Sequence, residues 1–251
     1  MSPVCCALLL MLTLPPAAPK AELLNETAGA LELKELNYYY DGAKWVKAWF
    51  QCEMNRNVAI FEEETELRYF SKRQPTQAAR LSIKQTEEPD CGMMKCYYHY
   101  SVQGGGRVVV MESNYKDEEA YWTTNHTVSI ERGRLRLANE AACHWFERTR
   151  LAVITSARSI YVTESEKGAL EYSSFNFAQA SSRPSVRLTN GARTSDEAKE
   201  IETFAFKNTG YEYVLNVSTN EAKPSVEVLV KKNGALVQRE NCLSYTYLKK
   251  S

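Results

Sequence analysis

Charge of one sign is what this sequence most plainly lacks. Its 31 lysines and arginines are matched by 31 aspartates and glutamates, so no global field recruits nucleic acid or an acidic membrane surface. Glycine is modest, at 11, while tyrosine is plentiful, at 15, which argues against a disordered or low-complexity chain and for a pleated β protein. Beyond the N-terminal residues no stretch is apolar enough to cross a bilayer as a helix. Catalytic grammar is missing too. The three histidines, His99, His126 and His144, belong to no His-Glu-x-x-His pair, and no serine occupies a Gly-x-Ser-x-Gly elbow. Cys143 and His144 are neighbours, and neighbours on a strand point to opposite faces, so they do not combine as nucleophile and base. Gly104-Gly105-Gly106 precedes a valine-rich strand rather than a helix and has no Gly-Lys-Ser/Thr ending, which makes it a turn rather than a phosphate cradle. Glu62-Glu63-Glu64 with Glu66 lacks the spaced oxygens of a calcium loop and reads as a solvated spacer. The expectation is a protein that is not an enzyme and that uses no cofactor and no metal.

What is present begins with an apolar run from Val4 to Leu14, too short to span a membrane and followed by small residues and prolines. Residues 1–21 read as a signal peptide, although no lysine or arginine precedes the run, and the chain is expected to be exported, either periplasmic or secreted. Cys5 and Cys6 lie inside the run, not at its end, which does not suit lipid attachment. The mature chain then holds Cys52, Cys91, Cys96, Cys143 and Cys242, enough for two disulfides with one thiol left over. A local Cys91–Cys96 bridge and a Cys52–Cys143 bridge closing the first half are the favoured pairs, although spacing alone does not fix them. Cys242 is the odd one, either buried and inert or joining two chains into a dimer. Zinc at Cys91 and Cys96 is disfavoured by the absence of a second close pair. Asn-x-Ser/Thr triplets at Asn25, Asn125 and Asn216 are no more frequent than chance allows and decide nothing about origin.

The clearest strand signal runs from Gly210 to Cys242. Tyr211, Tyr213 and Leu215 alternate with polar residues, Val226, Val228 and Val230 do the same, and Asn233-Gly234 supplies a tight hairpin turn. Much of this pattern occurs twice. Val58–Phe61 and Leu67–Phe70 are matched, across a spacer of equal length, by Leu151–Ile154 and Ile160–Thr163; Val108–Met111 is matched by Tyr211–Leu215. A basic, glycine-bearing hairpin after Thr127 ends at Cys143, as the one after Ser225 ends at Cys242. The fold expected is mainly β: two similar antiparallel units, each a small barrel or sandwich, with one or two short helices. Residues 22–144 would form the first unit, with a helical lead-in that places Trp45 and Trp49 on one face; residues 145–251 would form the second. Thr194-Ser195-Asp196-Glu197 reads as a capping box opening a short helix over 195–203. Tyr38-Tyr39-Tyr40 cannot all enter one core, so one of them should be exposed.

For binding, Arg132, Arg134 and Arg136 alternate through the first basic hairpin, and Lys231 and Lys232 occupy the matching place in the second. Together they are a candidate docking surface for an acidic partner, with protection of a hairpin edge as the alternative. The closing pattern, Phe206-Lys-Asn-Thr-Gly-Tyr-Glu-Tyr213 followed by Val228-Leu-Val-Lys-Lys-Asn-Gly234 and a cysteine in the terminal strand, resembles small exported bacterial β domains, a class that includes lysozyme inhibitors and immunity proteins. That resemblance implies a non-enzymatic exported protein that binds another protein, plausibly inhibiting or neutralising it, and transfers no site residue. The alternative is a carrier of a small apolar or aromatic ligand in a barrel or an inter-domain cleft.

Overall fold

Alternation of apolar and polar side chains continues through nearly all of the chain, and the structure follows it. The structure, a computed structural model, describes residues 33–62, 65–113, 123–132, 135–136, 141–179 and 183–250. The expected signal peptide, Cys5, Cys6 and Asn25 lie outside the described residues, as do Glu63, Glu64 and Arg134. Every regular element described is a strand, and strands make up 67% of the structure. In the first half these are β1 (Leu33–Tyr40), β2 (Trp45–Lys47), β3 (Phe50–Glu53), β4 (Asn57–Glu62), β5 (Glu66–Ser71), β6 (Ala79–Gln85), β7 (Asp90–Gly92), β8 (Lys95–Val102), β9 (Arg107–Ser113), β10 (Asn125–Arg132), β11 (Leu135–Arg136) and β12 (Ala141–Ala142). The second half contributes β13 (Thr149–Thr155), β14 (Arg158–Glu164), β15 (Leu170–Asn176), β16 (Val186–Asp196), β17 (Ile201–Asn208), β18 (Tyr211–Ser218), β19 (Val226–Lys232), β20 (Ala235–Arg239) and β21 (Cys242–Lys250).

Two antiparallel sheets result. One follows the order β11-β10-β9-β8-β6-β5-β4-β3, with β7 paired to β8 and β12 to β10; the other runs β2-β1-β21-β13-β14-β15-β16-β17-β18-β19-β20. Their curl gives a half-barrel and a nearly closed barrel. Sequence neighbours pair with sequence neighbours almost throughout, because short turns can join only antiparallel strands. The segments that match in sequence lie in β4 and β5 in one sheet and in β13 and β14 in the other, but the basic hairpin β10–β11 begins five pairing steps after β4 and the hairpin β19–β20 six after β13, so the two meanders differ by one strand between them.

The expected helices are replaced by strands and a turn. Trp45 and Trp49 do not share a face: Trp45 packs on Tyr245 in the core of the second sheet, and Trp49 packs on Phe50, Phe61 and Tyr98 in that of the first. The lead-in is β1 and β2, and β1 pairs along its length with β21, from Leu33↔Lys250 to Tyr39↔Ser244. Strand pairing therefore assigns 33–47 to the sheet built by the second half of the chain. Tyr38 and Tyr39 are both buried, on opposite faces of β1, because one face meets the second sheet's core and the other meets the seam between the sheets; Tyr40 is half-buried. At 195–203 the chain turns as a hairpin. Asp196 pairs with Ile201, and its carboxylate accepts from the Lys199 backbone N–H (3.1 Å) and from Nζ (2.8 Å). The capping residue thus closes a turn, because the alternating run from Ile201 to Phe206 gains more from pairing with β16 and β18 than from a single helical turn.

Closure of the first sheet is covalent. Cys52 in β3, one edge, is bonded to Cys143, which follows β12 on the other side. Around that bond Cys143 N–H donates to His126 C=O (3.0 Å) and His144 N–H to Glu53 C=O (2.7 Å), so the segment after Ala142 links β10 to β3. The remaining expected pair, Cys91–Cys96, bridges β7 to β8.

Candidate functional site

The inner faces of both sheets are filled. Phe50, Phe61, Tyr100, Val108, Val110, Val128 and Ile130 pack together in the first, and Tyr172, Phe204, Phe206, Tyr245 and Tyr247 in the second, all at most 2% exposed. A ligand of drug size needs roughly 300 Å³ or more of concave space. The cavity bordered by Gln51, Glu53, Asn125, His126, His144 and Tyr161, where the sheets meet, holds about 50 Å³, room for a few waters, while larger hollows, such as the one of about 470 Å³ bordered by Trp45, Val217, Val226 and Cys242, are open to solvent.

The seam itself is apolar with a polar spine. Val58, Ile60 and Phe70 from the first sheet meet Tyr39, Ile154 and Phe177. Beside them Glu53, 2% exposed, receives the Lys72 ammonium and the Tyr161 hydroxyl (3.1 Å), with His144 Nδ1 against the same carboxylate. His144 Nε2 lies 3.1 Å from Asn55 Oδ1. Burial pushes the Lys72 amine down to about 8. Burial, reinforced by the Lys72 ammonium, pushes His144 down to about 4, so at neutral pH Lys72 is the charged partner and the imidazole is neutral. Gln51 adds two cross-links, donating to Ala152 C=O (3.2 Å) and accepting from Ser244 (2.5 Å). This chemistry holds two sheets together.

The other histidines are also structurally engaged: His126 stacks on Phe50 with ring centres 3.7 Å apart, and His99 lies 3.6 Å from Glu87. Cys143, the sulfur nearest His144 in sequence, is committed to its disulfide. Among the described residues no group of three His, Cys, Asp or Glu is placed to hold a metal ion, and no helix is long and apolar enough to cross a membrane. Cys242 is free but only 8% exposed, and burial raises its thiol to about 12. It cannot reach a second chain without local opening, so of the two roles expected for it the buried one holds.

The surface is more informative. Among the described residues the large apolar side chains left exposed are Met93, Met94, Tyr211, Leu236 and Val237, and they occur at two hairpin ends. Between β7 and β8, Cys91 faces Cys96 and Gly92 faces Lys95, leaving Met93 and Met94 as a two-residue turn. Both have left-handed backbones, φ 42° and 68°. That mirror-image turn ordinarily takes Asn-Gly, as Asn233-Gly234 does in the other hairpin (φ 50° and 84°). Placing side chains larger than Asn there costs about 1 kcal/mol or more per residue, and the disulfide two strand residues away holds the geometry. Met93 is 98% exposed and Met94 49%.

At the second end Tyr211 faces Lys232, which faces Ala235, and Lys231 faces Leu236. Lys232 Nζ lies 5.3 Å from the Tyr211 ring centre, and Lys231 lies 3.8 Å from Glu212. Leu236 and Val237 are 52% and 54% exposed on β20, the terminal strand of its sheet.

The basic residues singled out from sequence are divided between the two sheets. Arg132 ends β10 and packs beside Gly106, where an added Cβ would lie 2.9 Å from its own Cβ; Leu135 faces it, and Arg136 faces Glu131. Arg132 and Arg136 lie on different, paired strands, β10 and β11, so these two do not line one strand. Lys231 and Lys232 do adjoin an exposed apolar group, Tyr211 with Leu236. Sequence reasoning missed Met93 and Met94, although the signal was available: two adjacent methionines at the tip of a short loop between paired cysteines have no core to enter. The chain matches no protein-family model, and no curated protein matches it.

Proposed function

We propose that this is an exported, non-enzymatic binding protein that docks on another protein through its exposed hairpin ends and thereby inhibits or neutralises it. The observation that carries this reading is that, among the described residues, the exposed large apolar side chains are confined to the β7–β8 turn and the β18–β20 end. Isolated exposed apolar residues are ordinary, but Met93 and Met94 sit together on a turn held by a disulfide, which pre-organises them, and Tyr211 at the other end is of a type enriched among binding anchors. Lysines beside Tyr211 and Leu236 favour an acidic rim on the partner at that end. Two disulfides suit an oxidising, exported setting, and the resemblance to lysozyme inhibitors and immunity proteins points the same way. Filled inner faces favour docking over carriage of a small ligand.

The test is capture on the immobilised full chain, comparing wild type with Met93→Glu/Met94→Glu and with Tyr211→Ala/Leu236→Glu, each first shown to unfold at the wild-type midpoint. A protein retained by wild type and depleted at least tenfold on one of the variants is the expected result. Equal retention on all three would show that the hairpin ends are not the docking elements.

A further inference from the structure

We infer that Met93, with Met94 beside it, is an oxidant-reactive modification site whose sulfoxidation switches off the docking tip; the switching half of this inference rests on the binding reading above. Four methionines fall within the described residues, and their exposures divide them sharply. Met93 is 98% exposed and Met94 49%, Met111 is half-buried in β9, and Met54 is 3% exposed inside the first sheet's core. A thioether reacts as a nucleophile at sulfur, and its rate follows access. Reaction with a hydroperoxide breaks the peroxide O–O bond and transfers one oxygen to sulfur. With hydrogen peroxide the products are methionine sulfoxide and one water; sulfur is oxidised by two electrons and the peroxide reduced by two.

Two features of the tip make this modification consequential rather than incidental. First, the methionines sit on a turn fixed by the Cys91–Cys96 bond and by the pairs Gly92↔Lys95 and Asp90↔Tyr97. The added oxygen therefore changes the chemistry of the tip without removing any core contact. Second, sulfoxide formation turns a flexible apolar side chain into a polar one, which removes the property that makes the tip an anchor. Exposure also leaves the sulfoxides open to enzymatic reduction, so the change is reversible in kind.

The experiment treats the folded full chain with hydrogen peroxide and follows each methionine by peptide mass mapping. Met93 should oxidise first and Met94 next, with Met54 at least tenfold slower and the unfolding midpoint unchanged. Oxidation of Met54 as fast as Met93, or unfolding in step with Met93 oxidation, would overturn the site. A second arm measures binding to the protein retained in the capture experiment. Peroxide should weaken binding at least tenfold for wild type, whereas the affinity of Met93→Leu/Met94→Leu, which lacks the sulfurs, should be the same before and after treatment whatever its untreated value. Equal peroxide sensitivity of the leucine variant would overturn the switch. Should Met93→Glu/Met94→Glu leave capture intact, the docking reading fails and the switch falls with it, while selective oxidation in the first arm still establishes the modification site.

Discussion

Lys72 and Glu53 lie 5% and 2% exposed at the seam between the sheets, an expensive placement unless each keeps the other. Removing one partner of a buried pair typically costs about 3–5 kcal/mol, because the remaining charge is left in a dry site. Lys72→Met should therefore lower unfolding stability by that order in denaturant titration, and Lys72→Met/Glu53→Gln should recover much of the loss; a single variant as stable as wild type would mean the pair is not formed. His144 gives a pH signature. Its pKa falls from 6.5 to about 4 on folding, so between those values the unfolded chain binds more protons and stability rises with pH. Acidifying from about 6.5 towards 4 should lower the denaturant midpoint, and His144→Gln should flatten that part of the profile. Cys242, buried and with its thiol held near 12, should resist iodoacetamide at pH 8 in the native chain and react once the chain is denatured. At this scale the sequence was informative about cysteines, whose pairings were the two favoured by spacing. It was silent about Glu53, Lys72 and His144, because nothing local reveals that Tyr161 lies across from them.

The hairpin is the element that decides the architecture. The Asn233-Gly234 turn could be read directly, since the residue types demanded by a left-handed turn were present; at Met93-Met94 the paired cysteines signalled an exposed tip but not its left-handed backbone, which those residue types resist. Both helices were misread for one reason: four-residue spacing in Trp45/Trp49 and capping residues at 194–197 are local signals, and strand pairing with distant partners outweighs them. The two disulfides should differ in worth. The Cys52–Cys143 bond, with a sequence separation of 91, restricts a long loop in the unfolded chain, and its removal should cost about 4–5 kcal/mol by the loop-entropy relation, against about 2 kcal/mol for the five-residue separation of Cys91–Cys96. Denaturant unfolding of Cys52→Ala/Cys143→Ala and Cys91→Ala/Cys96→Ala checks the order; equal losses would contradict it. The second variant should also lose partner capture more than stability, because it frees the tip.

Taken whole, the molecule is two antiparallel meanders joined along a packed seam, and among the described residues the large apolar side chains left exposed lie at hairpin ends. The mainly β class and two antiparallel units were legible from alternation, but the short helices expected with them are absent among the described residues. The pairing of β1 with β21 was not legible, since the two are separated by almost the full described chain and no periodicity reports a partner that distant. Docking through the β7–β8 tip is best tested by the equilibrium affinity of the full chain for its captured partner, measured by calorimetry for wild type and for Met93→Gln/Met94→Gln. Anchor residues at protein interfaces contribute 2 kcal/mol or more, so a loss of about 30-fold or greater with an unchanged unfolding midpoint is predicted. An affinity within about twofold of wild type would contradict the assignment of the β7–β8 tip as the binding element.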